Sequence, residues 1–417
     1  MSSVPTGAPE AQFPTSHSAR PATLLLIFIA SLSPLSMHIY LPSLPGLAAD
    51  LQASDAQVQL TLSVYLFAVA GAQLIIGPLS DRYGRRPILM MGLVIFLVAT
   101  LFCRFADSIE ALIIGRGFQA IGGCTGMVLG RAMVRDISTR RGAASLLGYV
   151  TMGMALAQMV GPVLGGFLDG FYGWRASFDL LLILGCAIFG AVFFALRETN
   201  LTPQKSLAPR QLMSNHGSLV LEPRFWAYAA TGGLASGVFF AFLGGGPLIL
   251  QREMGLSPLG YGLYFTLVAV GYAGGNYLSG RFSERFGTRR MITAGNVVAL
   301  AGIMLAVPLV ATGIPHPLVL FGPLIISSFA NGLCLPNAFA GALSVRPDLA
   351  GTASGVAGSL QLCVAAIATV VVGAVIHLGI WSLVIFMMTL AVAALIVGLA
   401  ANKMEAKLQL ATGEQAA

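Results

Sequence analysis

The chain has 417 residues, of which 9% are charged and 56% hydrophobic, and its mean hydropathy is +0.83. A water-soluble domain of this size needs far more surface charge, so a soluble fold is excluded. The net charge of +7 would suit nucleic acid or anionic lipid, but its distribution follows membrane sidedness, so membrane lipid is expected as a partner and nucleic acid is not.

Residues 1–21 are polar, rich in Ser, Pro and Ala, and carry no cleavable leader; they read as a disordered tail. Apolar blocks of about twenty residues follow, each long enough to cross a bilayer as a helix. They predict spans at 22–44, 58–78, 87–105, 110–132, 143–168, 177–197, 225–250, 260–280, 290–312, 317–341, 351–377 and 380–401. The expected fold is an all-α membrane protein of twelve transmembrane helices. Residues 22–197 form one six-helix bundle, 198–224 a hydrophilic linker, 225–401 a second bundle, and 402–417 a tail. With the linker, the even-numbered loops and both tails on one side, that side holds nineteen of the 23 Lys and Arg. The other side holds Arg104, Arg175 and Arg252, and Arg116 falls within a span. This bias puts both termini in the cytoplasm.

A charged loop occurs twice. Gly77, Asp81, Arg82 and Gly84, followed by Arg85 and Arg86, recur as Gly280, Glu284, Arg285 and Gly287 at a constant offset of 203 residues. The same offset superposes Leu51 to Ser54 on Met254 to Ser257. Such duplication of a six-helix unit is a mark of secondary transporters, and makes the two bundles pseudo-symmetric. In the loop, Gly84 allows a tight turn and Gly77 a close helix approach, while the arginines can reach carboxylates and lipid phosphates.

The loop, written GxxxDRxGRR, resembles the signature between helices 2 and 3 of the major facilitator superfamily. Span 5, with Gly148, Gly161, Pro162, Gly165 and Gly166, resembles the drug/proton antiporter motif, with Ala157 where Gly is usual. Span 4, with Arg116, Gln119 and Gly122, resembles the RxxQG element, with Ala120 in place of Gly. Ile39 to Pro45, Val134 to Ile137 and Ala350 to Ser354 are similar to the Bcr/CflA drug-efflux subfamily, over residues 22–401. The resemblance implies a bacterial inner-membrane antiporter, monomeric, exchanging protons for small drug-like molecules by alternating access. It places Asp81 near the start of span 11 and Glu284 near the start of span 5, as a pair of latches with Arg82, Arg85, Arg86 and Arg285. It also makes Gly161, Pro162, Gly165 and Gly166 an antiporter hinge, packed on span 8 at Gly271, Gly274 and Gly275. One departure stands out: relatives usually carry Asp where this chain has His38.

Inside the spans, Arg116 needs a polar cavity, since a guanidinium in hydrocarbon costs at least ~2.5 kcal/mol. His38 lies beyond Pro34 in span 1 and titrates near neutral pH in water. With Tyr40, Tyr65 and Gln119 these are the candidate substrate-cavity or coupling residues. No carboxylate falls near a bilayer midplane, which favours neutral, zwitterionic or weakly anionic substrates. No Walker motif is present, Gly244 to Pro247 lacks the GK[ST] of a phosphate loop, and the five cysteines and the remaining histidines are dispersed. No enzyme activity, cofactor or metal site is expected. A proton-coupled uptake symporter, or an exporter of an endogenous metabolite, stays open as an alternative.

Overall fold

A computed structural model describes residues 23–137, 140–200, 219, 221–346 and 349–412; for 140–145, 350–351 and 407–412 it describes the backbone alone. The expected N-terminal tail and most of the linker, with Arg20, Lys205 and Arg210, lie outside these residues, as do the side chains of Arg140, Arg141 and Lys407. The chain runs through α1 (Thr23–His38), α2 (Leu44–Asp50), α3 (Asp55–Tyr83), α4 (Arg85–Arg104), α5 (Ile109–Ile137), α6 (Arg140–Tyr172) and α7 (Arg175–Ala195). It continues through α8 (Pro223–Arg252), α9 (Pro258–Ala311), α10 (Leu318–Ser344), α11 (Ala350–Val375) and α12 (Ile380–Thr412).

Among the described residues, eleven helical stretches are long and apolar enough to cross a membrane. Each predicted span coincides with one of them, with a single doubling: predicted spans 8 and 9 both fall in the 54-residue α9. Gly287 (φ 77°, ψ 154°) breaks that helix, so it is two membrane-length arms meeting at the second charged loop. Span 1 is interrupted in turn. Pro42 and Pro45 lack the N–H a helix needs, and α1 passes through a turn and the 3-10 segment Leu41–Ser43 before α2 resumes.

The duplicated sequence shows in the caps. Ser54 accepts from the Gln57 N–H (3.3 Å) in a capping box, and Ser257, at the equivalent position, accepts from the Gly260 N–H (3.1 Å). Burial follows a period of three spans. The α1–α2 stretch, α5, α8 and α10 are 67 to 89% buried along their apolar windows, whereas the others reach 44% at most. The most buried helices are therefore every third span.

Helices α1–α7 meet α8–α12 chiefly through α3 on α11 and α6 on α9. The polar links between the two groups start at the end of the molecule opposite the charged loops. There Arg252 pairs with Asp55 (2.6 Å), Gln251 donates to the Pro42 carbonyl (2.6 Å), and Gln59 donates to the Gly244 carbonyl. Further along α3, Ser63 meets Thr369 (2.7 Å) and Gln73 donates to Ser359 (2.9 Å).

Candidate functional site

Helix α5 sets Arg116 and Gln119 three residues apart, on one face. Arg116 is fully buried. Its Nη1 donates to the Ser36 carbonyl (3.1 Å), to Ser36 Oγ (3.3 Å) and to Gln119 Oε1 (2.5 Å). Gln119 in turn donates to Thr100 Oγ1 (2.8 Å). The guanidinium lies between the rings of Tyr40 (4.2 Å) and Tyr65 (4.3 Å). Each tyrosine is held from behind, Tyr40 by Thr61 (3.2 Å) and Tyr65 by the Ser33 carbonyl (3.0 Å). Two such faces on a desolvated cation offset its burial by about 2 kcal/mol each. Arg116 Nε and Nη2 are buried without a hydrogen-bond partner among the described residues. The cluster is a buried positive charge with aromatic walls and spare donors, the right chemistry for a polar or anionic group.

Four of the five sequence-predicted cavity residues, Tyr40, Tyr65, Arg116 and Gln119, thus come together. The fifth, His38, is buried at the end of α1 in different company. Its Nδ1 donates to the Pro34 carbonyl (2.9 Å), because a carbonyl oxygen can only accept. In the neutral ring its Nε2 then carries the lone pair, and it has no partner among the described residues. Phe265 of α9 faces the ring at 6.4 Å, and a Cβ on Gly161 of α6 would stand 3.1 Å from the His38 Cβ. His38 therefore sits where α1, α6 and α9 converge.

The glycines of α6 explain that convergence. A Cβ on Gly165 would collide with the Ile39 carbonyl, and one on Gly166 with the Pro258 carbonyl. The Pro162 carbonyl lies 2.5 Å from where a Cβ of Gly262 would stand. Backbone meets backbone here, which only residues without a side chain permit. The expected partners of α6 on span 8 are corrected in one respect. Gly271, Gly274 and Gly275 face Ile325 and Phe329 of α10, and the contact with α6 is made a few turns earlier, at Pro258, Leu259 and Gly262. All these glycines are small enough to pack, and the sequence does not say against which neighbour.

The first charged loop is tightly bonded. Gly84 turns at φ 96° between α3 and α4. Arg85 Nη1 bridges Asp81 Oδ1 (2.5 Å) and Ser80 Oγ (2.6 Å), and its Nε donates to Asp136 Oδ2 (3.0 Å). Arg86 Nη2 donates to the Phe193 carbonyl (2.9 Å). Arg82 is exposed beside the ring of Tyr83 (5.1 Å), and a Cβ on Gly77 would meet nothing within 4 Å among the described residues, so the close helix approach expected there is not seen. Among the described residues Asp81 pairs with Arg85 and, through its backbone carbonyl, accepts from Asn200. In the second loop Glu284 and Arg285 are exposed, with Arg285 over the ring of Phe286 (5.6 Å).

Sequence reasoning assigned nothing to Glu198, Thr199 or Asn200, which it put in the linker, nor to the Asp55–Arg252 pair. A signal existed for the pair: Asp55 opens span 2 and Arg252 ends span 7, so opposite charges stand at the same membrane level.

The sequence profile of the Major Facilitator Superfamily matches residues 26–369 and 245–409. The chain belongs to the major facilitator superfamily. It is 32% identical over 369 residues to the MFS-type transporter YdgK of Bacillus subtilis, covering 86% of this chain and 90% of that one. It is 30% identical over 340 residues to Multidrug resistance protein D of Escherichia coli, with 81% and 84% covered. To the Chloramphenicol resistance protein of Pseudomonas aeruginosa it is 29% identical over 377 residues, with 90% and 89% covered. These relatives, with a Bicyclomycin resistance protein homolog of Haemophilus influenzae, bear out the resemblance to the Bcr/CflA type. Among solved structures, an inward-facing bacterial homolog of the lysosomal transporter Spinster superposes with a TM-score of 0.68 at 17% identity, covering 91% of this chain and 94% of that one, which shows a shared fold.

Proposed function

We propose that this superfamily member is a proton-coupled antiporter in a bacterial inner membrane that exports drugs or small amphipathic compounds by alternating access. The two arms of α9 count as separate spans in this reading, giving twelve, with two six-helix bundles and both termini in the cytoplasm. The chain acts as a monomer. The observation that carries the reading is the placement of contacts between α1–α7 and α8–α12. Among the described residues, bonds across that boundary run from the Asp55–Arg252 pair along α3 as far as Gln73, while Asp81 bonds to Arg85 in its own loop. This is the pattern of a transporter sealed on the outside, and its cytoplasmic latch would engage in the opposite state. The drug-resistance names of three relatives supply the cargo class.

In this cycle Arg116, between Tyr40 and Tyr65, offers its spare donors to a polar or weakly anionic group of the cargo. His38 takes the proton-exchanging role at Nε2. It stands at the junction of α1, α6 and α9, so opening that junction exposes it to the outside. The test is a set of inside-out vesicles loaded with chloramphenicol, bicyclomycin or ethidium outside and acidified within. Accumulation on acidification is the expected outcome. Its absence, together with uptake into intact cells, would replace export with symport. His38→Ala is expected to flatten or shift the pH profile of that accumulation, and an unchanged profile removes His38 from coupling.

A further inference from the structure

Three consecutive residues beyond α7 reach the first charged loop at two places and the end of α5 at a third. Glu198 accepts from the backbone N–H of Arg85 (2.9 Å, Oε1) and of Arg86 (3.0 Å, Oε2). Thr199 donates its hydroxyl to Asp136 Oδ2 (3.2 Å). Asn200 donates its side-chain amide to the Asp81 carbonyl (3.0 Å). Glu198 Oε1 also accepts from the N–H groups of Thr199 (3.0 Å) and Asn200 (2.9 Å). One carboxylate therefore takes four backbone donors. Two of them belong to the first turn of α4, where N–H groups lack partners in the helix and the dipole favours an anion. Gly84 leaves the space: a Cβ there would stand 2.6 Å from Glu198 Oε2.

Among the described residues the second loop shows no carboxylate on the amides after Gly287. The residue 203 positions after Glu198 is Ala401, and a Cβ on Gly287 would meet nothing within 4 Å. Its nearest counterpart is neutral: Asn402, 203 positions after Thr199, donates to the Arg289 carbonyl (3.2 Å) and to Thr293 Oγ1 (2.8 Å).

We propose that Glu198 is the positioning residue of the first charged loop, clamping the first turn of α4 so that the Arg85 guanidinium stands between Asp81 and Asp136. Glu198 makes no bond to that guanidinium and acts only through the backbone that carries it. The clamp persists through the transport cycle while Asp81 and Arg85 exchange partners. Its kinetic consequence rests on the transport reading above; its structural consequence does not.

The experiment has two arms, both on the full chain. Hydrogen exchange on purified protein reads the amides of residues 81–90. Glu198→Ala is expected to speed exchange at Arg85 and Arg86 about tenfold while the centre of α5 is unchanged. The second arm measures export by inside-out vesicles of whichever of chloramphenicol, bicyclomycin and ethidium the native chain moves. There Vmax is expected to fall about tenfold with KM within about twofold. Glu198→Asp, which keeps the charge, should recover part of the loss, and Glu198→Gln less. Where the Ala variant fails to accumulate, the Gln variant takes its place in both arms. Unchanged exchange at Arg85 and Arg86, or native Vmax in both the Ala and Gln variants, overturns the proposal. So does a raised KM at native Vmax, which would put Glu198 at the cargo. If the native chain moves none of the three compounds, the transport reading fails, and the exchange arm still decides the clamp.

Discussion

The loop around Gly84 and the loop around Gly287 share a register and a backbone. Each turns at a glycine with positive φ, 96° in the first and 77° in the second, and each sets an acid three residues before that glycine and Arg between them. Their surroundings differ. The first loop is held by Arg85 between Asp81 and Asp136 and by Glu198 on the α4 amides, and Arg85 is buried. The second leaves Glu284 and Arg285 exposed, and Thr288 stands where the first has Arg85. The turn is common to both copies, yet one is a bonded cluster and the other exposes its acid. Sequence similarity between the copies therefore does not predict equal contributions to transport.

The sharpest way to break this comparison is to neutralise the acid in each copy. Asp81→Asn strips the carboxylate from a half-buried pair, a change worth about 1–3 kcal/mol, and export is expected to fall about tenfold or more. Glu284→Gln acts on an exposed group, where the loss is expected to stay within about twofold. Equal losses in vesicle export at matched protein abundance would show that the second loop engages a partner in another state. A milder pair of variants separates backbone strain from collision. Both Gly84→Ala and Gly287→Ala incur the cost of an extended backbone at positive φ, about 1–3 kcal/mol. Only Gly84→Ala also strikes the Glu198 carboxylate, so its melting temperature in detergent should drop further. The smallest effect is expected at the opposite end of the molecule. Arg252→Ala removes a half-exposed ion pair to Asp55, worth about 0.2–1 kcal/mol. Labelling of a cysteine placed near Gly244 should rise about twofold, and no change would shift the seal to Gln59 and Gln251.

Much of the fold was legible because the signals are local. A block of apolar residues must become a helix in hydrocarbon, since no water is there to satisfy its backbone. The 203-residue repeat placed Ser54 and Ser257 at equivalent positions, and each caps a helix, but the break in span 1 at Pro42 and Pro45 was read as continuous helix. Arg116 announced a need for polar company by its cost alone, and Tyr40, Tyr65 and Gln119, named with it from the sequence, lie around it. The α6 glycines were legible as a packing surface, but half of the partner assignment failed. Gly271, Gly274 and Gly275 turned out to serve α10, because a small residue records that something comes close without recording what. His38 was legible as an anomaly and not as a neighbour of Phe265. Glu198 was invisible, since an acid following a span looks like any solvated loop residue.

The charged loop, its repetition and the order of the spans were determined by the sequence itself. Each is a pattern within a few turns of chain, set by hydropathy, charge and glycine position. Which copy of the loop became a bonded cluster was decided only by the tertiary structure. The answer depended on residues 51 and 113 positions away, Asp136 and Glu198, arriving on the same arginine and its amide. Helix packing brings such residues together, and the spacing along the chain carries no trace of it.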